Sequence, residues 1–246
     1  FTFVVGAVDE DETRTDALMV ATMDTKDKTI NVMNIPRDTM CNNTATGASK
    51  KINAAYGMDT GGKGGNIEQT SKEIERLMGF RPDKYVIVNF DGIAAIVDAI
   101  GGVDYDVPFD MKYDDPSQNL HIDLKKGQQH LDGKQTVGFL RWRHNNDYTV
   151  QYTNGDEGRV ENQQKFLKAL AGQVLQIKNV TKIRSIAEAV FKNVKTDFSA
   201  GELLWMGMQA MQIDNSSLQF FTLPGYGKMS TAGTSVQYSF FFPYYD

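Results

Sequence analysis

The chain is poor in what several protein classes require. It has one cysteine, Cys41, among 246 residues, so an internal disulfide is excluded. Cys41 itself reads as an inert small residue in a polar loop. The three histidines, His121, His130 and His144, are scattered without ligand spacing, which argues against a histidine-held metal. Basic charge is also short: 26 basic residues face 31 acidic ones, net −5. With no basic run and no helix-turn-helix pattern, a transcriptional regulator is disfavoured and no nucleic-acid partner is expected. No apolar run within the 246 residues approaches the roughly 18–20 residues of a membrane span, and none of them reads as a signal peptide. Internal repeats, low-complexity tracts and linkers are missing too. What remains is ordinary globular composition, 41% hydrophobic and 23% charged. The economical reading is α/β in class, one αβα domain across residues 1–246.

Arginine is scarce as well, and its placement is informative. There are 8 Arg against 18 Lys, and five of the eight fall at strand ends or loop-to-element junctions: Arg14, Arg37, Arg141, Arg143 and Arg159. Arginine is favoured where a planar fork must grip oxyanions in pairs. Residues 139–164 concentrate the pattern. Residues 137–142 read as a strand, which would put Arg141 and Arg143 on one face. A polar loop follows, then Asp156 as a helix N-cap, with Arg159 and Gln163 four apart on the first turn. Three guanidiniums, a carboxamide and a helix N-terminus could grip one phosphate or pyrophosphate. The competing reading is a surface ion-pair network among Arg141, Arg143, Asp147, Asp156 and Glu157.

In chain order, residues 1–8, 17–24 and 29–35 read as strands, the last two as a hairpin. Arg37 and Asp38 follow Pro36 at a strand end, where α/β proteins place their chemistry. A helical turn is expected at 53–56. The Gly-rich stretch after it lacks the spacing of a nucleotide P-loop. Residues 66–78 form an amphipathic helix, with Asn66 and Gln69 as an N-cap pair and Gly79 as the stop. A strand at 84–90, a helix capped by Asp91 and a strand at 103–109 suggest a βαβ unit. Residues 110–129 read as a loop or small hairpin. Helices are expected at 161–177, 181–194 and 199–211, the last with Trp205, Met206 and Met208 as core filler. A strand at 218–223 precedes an aromatic tail.

Taken in order, RTDALM, NIPRDT, KINAAY, the FDG…IVDAIGGV segment, LDGKQTVGFLRWR and GDEGRVENQQKFL resemble the LytR-CpsA-Psr family of bacterial cell-envelope proteins. The similarity runs from Phe1 to about Leu175, with an echo at LPG (223–225). It implies an αβα sandwich, a mixed central β-sheet flanked by helices. It implies an enzyme, a phosphotransferase that moves a glycopolymer such as wall teichoic acid or capsule from a polyprenyl-pyrophosphate carrier to peptidoglycan. It carries over Asp9 and Asp16 as Mg²⁺-associated carboxylates. Arg14, Arg37, Arg141, Arg143, Arg159 and Gln163 carry over as pyrophosphate ligands, with Asp16, Arg37 and Arg159 at the chemistry. It places the domain on the extracellular face of the cytoplasmic membrane, behind an N-terminal transmembrane anchor. The chain opens directly on the strand FTFVVGAV, as expected if that anchor lies outside it. Asn162 stands where the family often has a further arginine, and the loop between Val8 and Arg14 is short. RWRHNND (141–147) also replaces a more usual basic-acidic run. These departures bear on the sugar or acceptor more than on the reaction.

A polyprenyl tail is almost wholly apolar, at roughly 0.8 kcal/mol per buried CH₂. An apolar pocket is therefore expected beside Arg141 and Arg143, with helix 91–100 as its wall and Phe90 and Phe139 at its mouth. The alternative is that these residues fill a solid core. The same site could also hydrolyse the pyrophosphate, with water as acceptor.

Overall fold

The computed structural model describes residues 1–8, 12–41, 43, 45–58, 65–174 and 183–244. The elements run β1 (Thr2–Val8), β2 (Thr15–Asp24), β3 (Thr29–Asn34), α1 (Ile52–Ala55), α2 (Ile67–Met78), β4 (Lys84–Val88), α3 (Phe90–Ile100), β5 (Val103–Val107), β6 (Met111–Asp115), β7 (Leu120–Leu124), β8 (Gly127–Leu131), α4 (Gly133–Arg141), α5 (Asp156–Val174), α6 (Ile183–Asn193), β9 (Val194–Thr196), α7 (Ala200–Ala210), β10 (Leu218–Thr222), β11 (Gly225–Ser230) and β12 (Tyr238–Pro243). The class is the expected one, mixed α/β with a central mixed sheet and flanking helices. The residues group into two compact units. The first holds Phe1–Phe90, Val194–Ser199 and Ser216–Asp246; the second holds Asp91–Asn193 and Ala200–Asn215.

The first unit is built on a six-stranded sheet in the order β10-β3-β2-β1-β4-β9. β1 runs antiparallel to β2 and parallel to β4, and β10 runs parallel to β3. The expected β2–β3 hairpin is present. β1 alternates half-buried and buried residues, as a strand with one solid face must. Val4, Leu18 and Val20 pack with Ile52 of α1 and Ile74 of α2, each side chain contributing about 1.5–3 kcal/mol by burial.

α2 starts where the Asn66 side chain accepts from Glu68 N at 2.9 Å, and stops at Gly79, φ 75°. The partner expected for Asn66, Gln69, points elsewhere. Its amide donates to Glu73 at 2.9 Å, and Arg76 donates to the same oxygen at 2.5 Å. The reason is burial. Glu73 is 1% exposed, and a carboxylate out of water must collect donors. Cys41 is likewise buried rather than set in a polar loop, and burial beside Glu73 pushes its thiol pKa up.

The second unit packs around an aromatic core in which Tyr105 meets Phe139 and Phe166 at 5.0 and 5.2 Å, while Trp142 meets Tyr152 at 5.1 Å. Several expectations are corrected here. Residues 137–142 are not a strand. They are the end of α4, which opens on a capping box between Asp132 and Gln135. Thr136, Phe139 and Leu140 are its buried face, at helical spacing. Val137 and Phe139 flanking Gly138, and Leu140 and Trp142 flanking Arg141, imitate strand alternation over six residues, too short a window to separate the two periods. The βαβ unit is absent as well: β4 belongs to the six-stranded sheet, whereas β5 pairs antiparallel with β8.

Other boundaries also move. Residues 111–124 form the small hairpin β6–β7. α3 begins at Phe90, so Asp91 is in its first turn rather than at its cap. Val194 belongs to β9, not to α6. Trp205 and Met208 are 46% and 54% exposed, and only Met206 of that trio is core. The Gly-rich residues 59–64, the end of the expected helix 161–177 and Asp9 lie outside the described residues.

Candidate active site

In the first unit three of the sequence motifs meet at one end of the sheet. Ala7 pairs with Ala17 but Val8 pairs with Thr15, so Asp16 is the extra residue of a bulge in β2. A bulge turns a side chain out of the ladder, and such irregularities gather beside active sites. The Asp16 carboxylate accepts from Arg37 Nη1 at 3.2 Å. Both side chains are about a quarter exposed, 29% and 25%, so they face a partly desolvated space rather than bulk water.

Arg37 is held by its backbone. Pro36 ends the strand run, and its carbonyl accepts from Thr39 N at 2.9 Å and Thr39 Oγ1 at 2.6 Å. The Arg37 carbonyl accepts from Asn53 N at 3.1 Å, and Lys51 Nζ sits 2.9 Å from the Asp38 carboxylate. The KINAAY segment therefore serves as the floor of the NIPRDT turn. The LPG segment joins it, since Leu223 N donates to Asn34 O at 2.9 Å. Arg14 is exposed in the segment leading to β2.

In the second unit the α4 C-terminus and the first turns of α5 are brought together. Gln163 Nε2 donates to Leu140 O at 3.0 Å, capping one of the carbonyls that a helix end leaves open. Arg159, one turn earlier on the same face, is only 4% exposed. It lies near Tyr152, whose phenol is pushed above its ordinary pKa by burial while the guanidinium pulls the other way. Arg141 is the last residue of α4 and donates to Gln118 Oε1 at 2.6 Å. Arg143 is exposed two residues further on, past the extended Trp142. The shared-face argument for Arg141 and Arg143 fails with the strand. Helix contacts link residues three and four apart, and these two are separated by the helix end. Asp147, of the competing ion-pair network, accepts instead from Thr149 N and Oγ1 at 3.1 and 2.8 Å. The Asp156 and Glu157 side chains lie outside the described ones.

Of the residues expected to wall or frame an apolar pocket, three are buried in the second unit's core. Val97 and Ile100 of α3 and Phe139, 1% exposed, are solid core. Another cavity lies between α6 and α7, of about 140 Å³, lined by Ile183, Ile186, Val190, Leu203 and Met211.

Sequence reasoning missed the groups that support the site: Lys51 on Asp38, Gln118 on Arg141, and Lys195 with Asn89 on Glu12. Lys51 stood inside a quoted motif. Gln118 and Lys195 gave no signal, because their partners are 23 and 183 residues away.

The first unit thus holds a bulged carboxylate with an arginine beside it, and the second a guanidinium buried in α5, groups whose chemistry suits a hard cation or an oxyanion. The sequence profile of the LytR_cpsA_psr family matches residues 4–240, and the chain belongs to that family. It is 36% identical over 213 residues to the polyisoprenyl-teichoic acid–peptidoglycan teichoic acid transferase TagV of Bacillus subtilis, covering 83% of this chain and 51% of TagV. It is 30% identical over 229 residues to the transferase of the same description, TagU, of Bacillus anthracis, covering 93% of this chain and 69% of TagU. The crystal structure of B. subtilis TagV superposes with a TM-score of 0.80 at 29% identity, covering 99% of this chain and 90% of that one. The chain thus spans about half the length of TagV and just over two thirds of TagU. Among the described residues no helix is long and apolar enough to cross a membrane.

Proposed function

We propose that this chain is a cell-wall glycopolymer phosphotransferase, taking a teichoic-acid-type polymer from a polyprenyl-pyrophosphate carrier to peptidoglycan. A hydroxyl of the acceptor glycan attacks the polymer-side phosphorus. The bond to the bridging oxygen breaks, polyprenyl phosphate leaves, and the hydroxyl proton is released. The observation that carries the reading is the Asp16–Arg37 pair at 3.2 Å on the β1–β2 bulge, in a chain related to TagV and TagU. Charge must be neutralised on both phosphates as the bridge breaks. Arg14 and Arg37 of the first unit, and Arg141, Arg143, Arg159 and Gln163 of the second, are the proposed ligands. Asp16, Arg37 and Arg159 are nearest the chemistry. Gln163 already caps Leu140 O through its amide nitrogen, so its part is through its oxygen or through holding α5.

Mg²⁺ fits the donor set. It prefers one or two carboxylates and completes its shell with water and phosphate oxygens. Asp16 offers a hard oxygen ligand turned out of the ladder, and Asp9 is its proposed companion. No group of three or more His, Cys, Asp or Glu among the described residues forms a closed cage, and a Mg²⁺ completed by the substrate needs none. When bound, the ion would neutralise the pyrophosphate. The apolar cavity between α6 and α7 offers shelter for part of the tail. The proposed setting is the outer face of the cytoplasmic membrane, behind an N-terminal anchor.

The test supplies purified chain with a polyprenyl-pyrophosphate-linked polymer, peptidoglycan and Mg²⁺. Polyprenyl phosphate and a phosphodiester-linked product should both appear, and both should vanish with EDTA or Asp16→Ala. Polyprenyl phosphate without linked product would make the chain a hydrolase instead. Activity untouched by EDTA and by Asp16→Ala would remove the metal role.

A further inference from the structure

Glu12 is the one residue of the 12–14 segment with a left-handed backbone, φ 53°. A glutamate adopts that conformation only when its surroundings impose it, and such positions gather where a site needs a fixed geometry. The surroundings are specific. The Glu12 carboxylate accepts from Lys195 Nζ of β9 and from Asn89 Nδ2, just past β4, at 3.3 Å. β9 and β4 are neighbouring strands, with Lys195 opposite Ile87. The contact therefore ties the segment to the far edge of the sheet across 183 residues of chain. On its other side the segment rests on the turn after α1: a Cβ at Gly57 would stand 2.4 Å from Thr13 O. Tyr56, 2% exposed, lies close enough to Lys195 and Glu12 for both to act on its phenol.

We propose that Glu12 is a positioning residue. The Lys195–Glu12–Asn89 latch sets the course of residues 12–16, and so aims Arg14 and the bulged Asp16 at the pyrophosphate and its metal. The pair is exposed enough, 55% and 26%, to add little to global stability. Its consequence is local: Asp16 follows Glu12 by four residues, and nothing but this segment carries Arg14. The proposal rests on the phosphotransferase reading, so its test has an arm that does not need turnover.

Amide hydrogen exchange is measured on the whole chain for wild type, Lys195→Met, Glu12→Gln and the swapped pair Glu12→Lys with Lys195→Glu. The single variants should exchange about tenfold faster at residues 12–16, with unchanged urea midpoints, and the swap should recover most of the protection. In turnover assays the same singles should lower kcat about tenfold and need more Mg²⁺ for half-maximal rate, at an unchanged KM for acceptor. Exchange equal to wild type in both singles overturns the latch. Loss of activity in step with the urea midpoint overturns it too, leaving a structural role. If wild type fails to turn over while the exchange result holds, the phosphotransferase reading fails and the latch stands as an ordering device.

Discussion

Arg159→Lys tests whether the buried arginine is used as a fork or only as a charge. The side chain is 4% exposed in the first turn of α5, one turn before Gln163. Lysine keeps the positive charge, so charge arithmetic alone predicts little change. A guanidinium, however, can place two parallel N–H bonds on one phosphate, and an ammonium cannot reproduce that geometry. Losing one charge-assisted bond costs about 1.5–3 kcal/mol. At about 1.4 kcal/mol per decade, kcat/KM should fall roughly 10- to 100-fold. The assay is polyprenyl phosphate release at saturating and limiting donor, with a urea melt on the same preparation to separate chemistry from folding. Activity within about threefold of wild type would refute the fork. So would a loss that merely follows the unfolded fraction, which would make Arg159 a structural charge of the α4–α5 junction.

Three further outcomes follow from the packing. Gly133→Ala puts a Cβ 2.3 Å from Ala94 O and 2.7 Å from its Cα, a backbone clash that should cost about 1–3 kcal/mol in a urea melt despite alanine's better helix propensity. Gly201→Ala in α7 meets nothing within 4 Å and should be neutral or slightly stabilising; equal losses in both would refute the contact argument. Arg76→Ala removes a donor from the buried Glu73 carboxylate and should cost about 1–2 kcal/mol, less than a fully buried pair because Arg76 is half exposed and Gln69 remains as a donor; a loss under about 0.5 kcal/mol would show that Gln69 suffices. His130 has its pKa raised, first by the Asp104 carboxylate at 2.7 Å and then by Gly101 O at 2.8 Å. The stability it adds is present below its ordinary value, about 6.5, and is lost as pH rises through the raised one. The melting temperature should therefore slope gently down from about pH 6.5 upward, and the slope should flatten in His130→Gln; an identical slope in the variant would exclude this pair.

Local features were legible in the sequence, because their causes are local. The β2–β3 hairpin, the Asn66 and Gly79 ends of α2 and the strand alternation of β1 rest on neighbours within a few residues. The ordered motifs were legible as a family for the same reason: each is a contiguous run. Tertiary structure decided what those runs could not hold. Whether residues 137–142 were strand or helix turned on the core that Phe139 and Leu140 enter. That Asp16 is a bulge residue depends on which residue of β1 faces it. Gln69 was drawn from Asn66 to Glu73 by a burial visible only once the chain packs. The Lys195–Glu12 contact spans 183 residues, and a lone lysine carries no mark of the carboxylate it will meet. Periodicity and capping are written within a few turns of chain; the partner of a charge is chosen by the closing of the sheet.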